Sequence, residues 1–407
     1  MRISRFIVFF IFLLLFNSCG GTQTKLSKQP SMHTESNADD GMIHADLQSC
    51  DIRSKKFFVY ELLHDSYYWA DDVEDKNIDI FSDSTSLLDA LKSDKDRFSF
   101  IMDKSVYDEH FNSTVANDYG FLSSSMGEGN SVILFVYPDS AAFKAGIKRS
   151  DIITKAIPLD DNKSAILTLL SNDGAKREIK LSQESYTKKE VANSKIISMG
   201  DKKVGYFVLN SFIGKNINSD LDQLFDYYKQ NGIDELVLDL RYNGGGDISI
   251  SAHLASLISG KKSFSHVFQH HLFNTTYSES NSNSYFDKYS SHALKLKRLF
   301  VITTENTASA SESIISALRA KENGMDVITI GTKSYGKPYS MYPISFCDKV
   351  FFPILMKNFN SDYDEDYDDG FVPTCEVEDD YFHDFGDLNE KNLKEALFYI
   401  SHESCSH

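Results

Sequence analysis

Glu235-Leu236-Val237-Leu238-Asp239-Leu240-Arg241-Tyr242-Asn243-Gly244-Gly245-Gly246 decides the architecture. Glu235 to Leu240 contains Leu236-Val237-Leu238, apolar on successive residues, which is the pattern of a strand buried on both faces. Asn243 to Asp247 is a Gly-rich turn, whose glycines adopt positive φ and let another group approach the backbone closely. The neighbouring segments fit the same layer. Val204 to Leu209 reads as a strand, and Asn218 to Asn231 as a helix with Leu221, Leu224, Phe225 and Tyr228 on one face. Ile250 to Ser259 is a helix ended by Gly260, Leu299 to Thr303 a strand, Ser311 to Glu322 a helix ending near Gly324, and Val327 to Gly331 a strand. Alternating strands and helices predict an α/β sheet with crossover helices. Asp387 and Glu390 have capping-box spacing and are expected to open a last helix through Ile400.

Thr307-Ala308-Ser309-Ala310-Ser311-Glu312 follows the strand at Leu299, and Gly331-Thr332-Lys333-Ser334-Tyr335-Gly336-Lys337 follows the next one. A serine between strand and helix points its hydroxyl out of the turn. The N–H groups after it belong to a helix start and lack intrahelical partners. Ser309 and Glu312 also have capping-box spacing, so on its own the serine reads more readily as a helix cap. A lysine is protonated at neutral pH unless apolar burial disfavours its charged form. The three segments supply the parts of a serine–lysine hydrolase: nucleophile, base and oxyanion donors.

This set resembles the C-terminal processing peptidases, or tail-specific proteases, a likeness spanning nearly all the chain after residue 54. The resemblance implies an α/β catalytic core of the ClpP/crotonase kind, with Ser309 as nucleophile and Lys337 as general base. Gly245 and Ala310 would supply the oxyanion N–H groups, Asp239 and Arg241 would hold the loop, and no cofactor or metal is implied. One position departs from the pattern: Met341 stands where the family carries Gln or Glu to orient the amine. A catalytically weak or inactive protein of the same fold, binding peptides or apolar ligands, is the second reading.

Between the N-terminal segments and this core the pattern changes to short strands. Tyr119-Gly120-Phe121-Leu122, Ser131 to Val136, Pro138 to Ile147 and Asp151-Ile152-Ile153 together resemble a PDZ domain. That likeness implies capture of a substrate's C-terminal tail, with Gly120 and Phe121 in the carboxylate-binding loop. The expected organisation is a signal at 1–18, a tether at 19–48, a small helical domain at 49–112, the inserted PDZ-like β-domain at 113–186 and the peptidase core at 187–407. Helices are expected from Ser54 to Trp69 and around Leu87, Leu88 and Leu91.

Arg2 and Arg5, the apolar run Phe6 to Phe16, and Asn17-Ser18-Cys19-Gly20 resemble a bacterial lipoprotein signal. It implies a lipid on Cys19 and a cell-envelope, periplasm-facing protein, with the outer membrane favoured over the inner. An ordinary secretory signal is the other reading. The net charge of −17 without a long basic run argues against nucleic acid as a partner. Whether an adaptor or a homo-oligomer is involved stays open, as does the substrate. Four cysteines remain, Cys50, Cys347, Cys375 and Cys405. Cys347 with Cys375 is the expected pair, since both flank strands of one domain; free buried thiols are the alternative. The acidic run Asp362 to Asp369 has Tyr367 and Pro373 where a calcium loop needs Gly and Glu, and reads as a solvated loop.

Overall fold

The computed structural model describes residues 49–111, 115–260, 266–287, 290–363 and 367–406. The signal, the tether and Cys19 lie outside the described residues, as does part of the acidic run.

A six-stranded sheet runs in the order Cys375–Glu376, Asp326–Gly331, Arg298–Thr303, Glu235–Asp239, Lys202–Leu209, Val191–Met199. The first five strands are parallel and the last is antiparallel to its neighbour. Both faces are buried, which explains the unbroken apolar runs. Leu236, Leu238, Leu299 and Val301 pack with the helices Ile217–Asn231, Ile248–Ser259 and Ala310–Arg319. Val237, Phe300 and Ile302 meet Leu393, Ala396 and Ile400 of the helix Lys391–His402 on the opposite face.

That last helix is capped by Glu390 itself, whose carboxylate accepts from Asn392 N–H and Leu393 N–H, rather than by Asp387. The same carboxylate pairs with buried Arg241 at 2.9 Å, so the cap is fixed by tertiary contact as well as by local sequence.

Residues between Phe121 and Ser182 form a five-stranded antiparallel sheet with a one-turn helix, Ala141–Lys144. Ile133, Ala142, Ile147, Leu167 and Leu169 form its core. The strand Phe121–Gly127 lies at its edge. The chain enters and leaves through the antiparallel pair Val115–Asp118 and Glu184–Thr187. Arg149, which donates to Leu134 O within the unit (2.5 Å), ties the unit to the core by donating to Tyr242 Oη (3.1 Å) and Asp380 O (2.9 Å).

The helices Ile52–Asp65 and Ser84–Leu91 lie where expected, the first ending four residues short of Trp69. The strand Phe100–Asp103 pairs with Lys349–Phe352. Leu63, Tyr67 and Leu87 therefore share one core with Met341, Phe352 and Ile354. The disulfides follow this packing and correct the expected Cys347–Cys375 pair. Cys50 bonds Cys347, stapling the first helix to the hairpin beneath it, and Cys375 bonds Cys405, tying the last strand to the end of the last helix. Among the described residues no helix is long and apolar enough to cross a membrane.

Candidate active site

Three loops leave the carboxyl ends of three adjacent parallel strands. They begin at Leu240, Thr304 and Thr332, after Glu235–Asp239, Arg298–Thr303 and Asp326–Gly331. Ligands of open α/β sheets bind at such ends. The loops are stitched together by side chains. Thr307 Oγ1 donates to Leu240 O (2.8 Å), Ser311 Oγ to Asn243 O (2.9 Å), and Thr304 Oγ1 to Arg241 O. Tyr335 N–H donates to Thr307 O at 2.9 Å.

Ser309 sits at the entrance of the helix Ala310–Arg319 with φ 55° and ψ −114°. A non-glycine residue there costs about 1–3 kcal/mol and persists only where its surroundings enforce it. Glu312 does much of the enforcing. It is fully buried, and one carboxylate oxygen accepts from both Ser309 N–H (2.9 Å) and Lys337 N–H (2.8 Å). The other accepts from Ser334 Oγ (2.6 Å) and Gly336 N–H (2.7 Å). The serine turn and the lysine loop thus meet at one oxygen atom. Burial pushes the Glu312 carboxyl upward, and its bonds to Ser334, Lys337, Gly336 and Ser309 oppose that. Gly336 is required here: its φ is +83°, and a Cβ would lie 2.3 Å from Asp368 O.

Lys337 is 4% exposed. Burial lowers its pKa to about 7, against the weaker opposing fields of Asp96 and Glu312. Its Nζ lies 3.9 Å from Met341 Sδ, so the one departure from the family pattern stands directly beside the amine. A thioether is a weak acceptor and does little to stabilise an ammonium. The N-terminal unit contributes to this pocket: Phe98 has its ring centroid 5.6 Å from Nζ. Arg97 holds the lysine loop by donating to Tyr335 O (2.7 Å) and Gly336 O (2.9 Å). Asp96, Arg97 and Phe98 carry no motif, and nothing in their spacing points to this pocket. Glu312 does carry a signal, its capping-box spacing with Ser309, but that spacing says nothing of its bonds to the lysine loop.

Ala310 N–H makes no hydrogen bond among the described residues, which suits an oxyanion donor. Gly245 N–H instead donates to Asn243 Oδ1 at 2.9 Å. Asn243 is itself anchored through Nδ2 to Leu209 O at 2.9 Å. Gly246 lies against Phe212, where a Cβ would come within 2.4 Å of backbone carbon. Asp239 and Arg241 are fully buried in a mutual ion pair of 2.8 Å and face no open space, consistent with holding the loop. Gly120 N–H is engaged by Asp118 Oδ1 at 2.7 Å, while Phe121 starts the edge strand and lines a cavity shared with Gly244 and Gly245.

Residues 203–377 match the model of peptidase family S41, and residues 54–100 that of the peptidase S41 N-terminal domain. The chain belongs to peptidase family S41. A "Probable CtpA-like serine protease" of Staphylococcus haemolyticus is 25% identical over 298 residues, covering 69% of this chain and 55% of that protein. One from Staphylococcus epidermidis is 26% identical over 301 residues, covering 69% and 56%. The chain spans about half the length of the curated relatives it matches. A crystal structure of a Bacteroides fragilis protein described as an S41 protease superposes with TM-score 0.72 at 23% identity, covering 85% of this chain and 97% of that one. The photosystem II D1 C-terminal processing protease gives TM-score 0.52 at 16% identity, with coverage of 81% and 94%. These two likenesses concern the fold.

Proposed function

We propose that the protein is a serine endopeptidase acting through Ser309 and Lys337 on unfolded or tail-bearing proteins. The observation that carries this reading is the shared Glu312 carboxylate, which joins the strained Ser309 turn to a buried lysine with a pKa of about 7. Near neutral pH much of Lys337 is the free amine and can accept a proton. Ser309 Oγ attacks the peptide carbonyl and passes its proton to Lys337 Nζ. The ammonium then protonates the leaving amine, giving an acyl-enzyme. Water, deprotonated by the same amine, releases the acyl group and regenerates Ser309. Ala310 N–H and Gly245 N–H are the oxyanion donors. Gly245 N–H is spent on a neutral amide oxygen in the resting state, and a full negative charge competes for it more strongly.

The five-stranded unit is proposed as the PDZ-like tail receptor, pairing a peptide along its edge strand Phe121–Gly127. Because Gly120 N–H is already given to Asp118, the terminal carboxylate falls to Phe121 N–H. Two disulfides support an oxidising compartment, in keeping with a lipid-anchored envelope protein.

The test is an active-site serine probe, followed by degradation of an unfolded protein. Labelling that disappears in Ser309→Ala, together with loss of cleavage, is the expected result. Folded parent protein that neither labels nor cleaves would sink the reading and leave the peptide-binding alternative. Ser313→Ala is the better control serine, since Ser311 Oγ holds the Asn243 carbonyl.

A further inference from the structure

A cavity of about 310 Å³ separates the five-stranded unit from the catalytic core. Phe121 of the edge strand lines one side, and Gly244 and Gly245 of the oxyanion loop line the other. A peptide laid along the edge strand and continuing toward Ser309 passes through this space.

Polar residues line much of the cavity, Lys188, Lys215 and Asp220 among them, and two of them, Glu190 and Asn210, are buried without a part in the chemistry above. Each is only 6% exposed. Glu190 Oε2 and both Asn210 side-chain atoms, Oδ1 and Nδ2, are buried and have no hydrogen-bond partner among the described residues. Their backbones are adjacent, since Asn210 N–H donates to Glu190 O at 3.0 Å. Buried polar groups are nearly always paired, and leaving three atoms unpaired in one place is costly. Such a cost is tolerated where a ligand supplies the missing partners.

The chemistry of the pair identifies that ligand. Two of the three atoms are acceptors, Glu190 Oε2 and Asn210 Oδ1, and one of them belongs to a carboxyl group. Burial raises the Glu190 pKa to about 7, against the opposing field of Lys188. An entering cation favours the ionised form and gains a charge-assisted bond in return. Lysine and arginine side chains carry several donors on a stem long enough to reach into a recess. The chain's net charge of −17 also attracts basic segments.

We propose that Glu190 and Asn210 form a specificity subsite that receives a lysine or arginine side chain of a peptide bound between the edge strand and Ser309. This rests on the peptidase reading but is tested by binding alone.

The experiment uses full-length Ser309→Ala protein and fluorescent peptides in which one lysine walks along an otherwise uncharged sequence. A second set carries norleucine, the same straight chain without the ammonium. At one position lysine should bind about tenfold or more tighter than norleucine. Glu190→Gln should abolish that preference, and Asn210→Ala should weaken it. Melting curves establish that each variant is folded, and Glu190→Met serves as a second variant that removes the buried carboxyl. No preference at any position, a preference that survives in folded Glu190→Gln or Glu190→Met, or no measurable binding by any lysine peptide would each overturn the proposal. Failure of serine labelling in the parent protein would instead overturn the peptidase reading, and leave the binding result to stand by itself.

Discussion

Replacing Met341 by Glu should move the activity profile far to the alkaline side. In the parent protein Lys337 Nζ lies 3.9 Å from Met341 Sδ, and burial holds its pKa at about 7. A glutamate carboxylate occupies nearly the volume of the thioether. Two opposite charges about 4 Å apart interact by about 4 kcal/mol at an effective dielectric of about 20. That corresponds to about three pK units in favour of the ammonium. The midpoint should move from near 7 toward 10, and the free-amine fraction at about pH 8 should fall by roughly a hundredfold. The assay is the rate of Ser309 labelling by a serine-directed probe across about pH 6 to 10, which reports chemistry rather than product release. Met341→Gln places a neutral acceptor there and should move the midpoint much less. A folded Met341→Glu variant whose labelling midpoint stays near 7 would refute the assignment of Lys337 as the titrating base.

The same buried amine makes a prediction about stability. Its folded pKa is depressed from 10.5 to about 7, so its penalty is absent above about pH 10.5, grows as pH falls, and is complete below about 7. Lys337→Met should therefore raise unfolding stability at neutral pH by on the order of 3–4 kcal/mol while abolishing labelling; unchanged denaturant midpoints would count against a neutralised lysine. Glu312→Gln retains one acceptor oxygen and turns an NH2 toward N–H donors, so it should cost on the order of 3–6 kcal/mol and most of the activity, read by melting and labelling together. Replacing both Cys375 and Cys405 by Ser opens a link spanning 30 residues and should cost up to about 3–4 kcal/mol in the chain-entropy picture, measured by urea unfolding.

What could be read from the sequence was whatever its local pattern encodes. The strand Glu235–Asp239, the Gly-rich turn and the helix after Ser309 each announce themselves through periodicity or a turn residue, and the observed bounds differ by a residue or a few. Ser309 and Lys337 were legible as candidates because two loops follow two strands in a recognisable order. The disulfides were not, because pairing depends on which surfaces meet. Cys50 and Cys347 are 297 residues apart and come together only because the first helix packs on a C-terminal hairpin. The wall of the lysine pocket was hidden for the same reason. Asp96 and Phe98 act on Lys337 through a fold-level contact that no spacing rule describes. The engagement of Gly245 N–H by Asn243 and of Gly120 N–H by Asp118 was equally invisible, since each depends on a side-chain rotamer.

Ser309-x-x-Glu312 offered two readings, a helix cap or a nucleophile turn, and in the structure the cap does more than close a helix end. Glu312 does accept the Ser309 N–H, as a capping residue should. Yet an ordinary cap satisfies a helix end at the surface, and this carboxylate is fully buried and also accepts from Ser334, Gly336 and Lys337. Burying a carboxylate is costly, and four donors offset that cost only if all four are held in place. The cap therefore fixes the lysine loop to the serine turn as a condition of its own stability. An isosteric change that leaves the helix start nearly intact should thus damage the lysine's position most. Helix content measured by circular dichroism should change little in Glu312→Gln, while the labelling rate and its pH midpoint should both shift. Equal loss of helix and labelling, with an unchanged midpoint, would mean that Glu312 serves the helix alone.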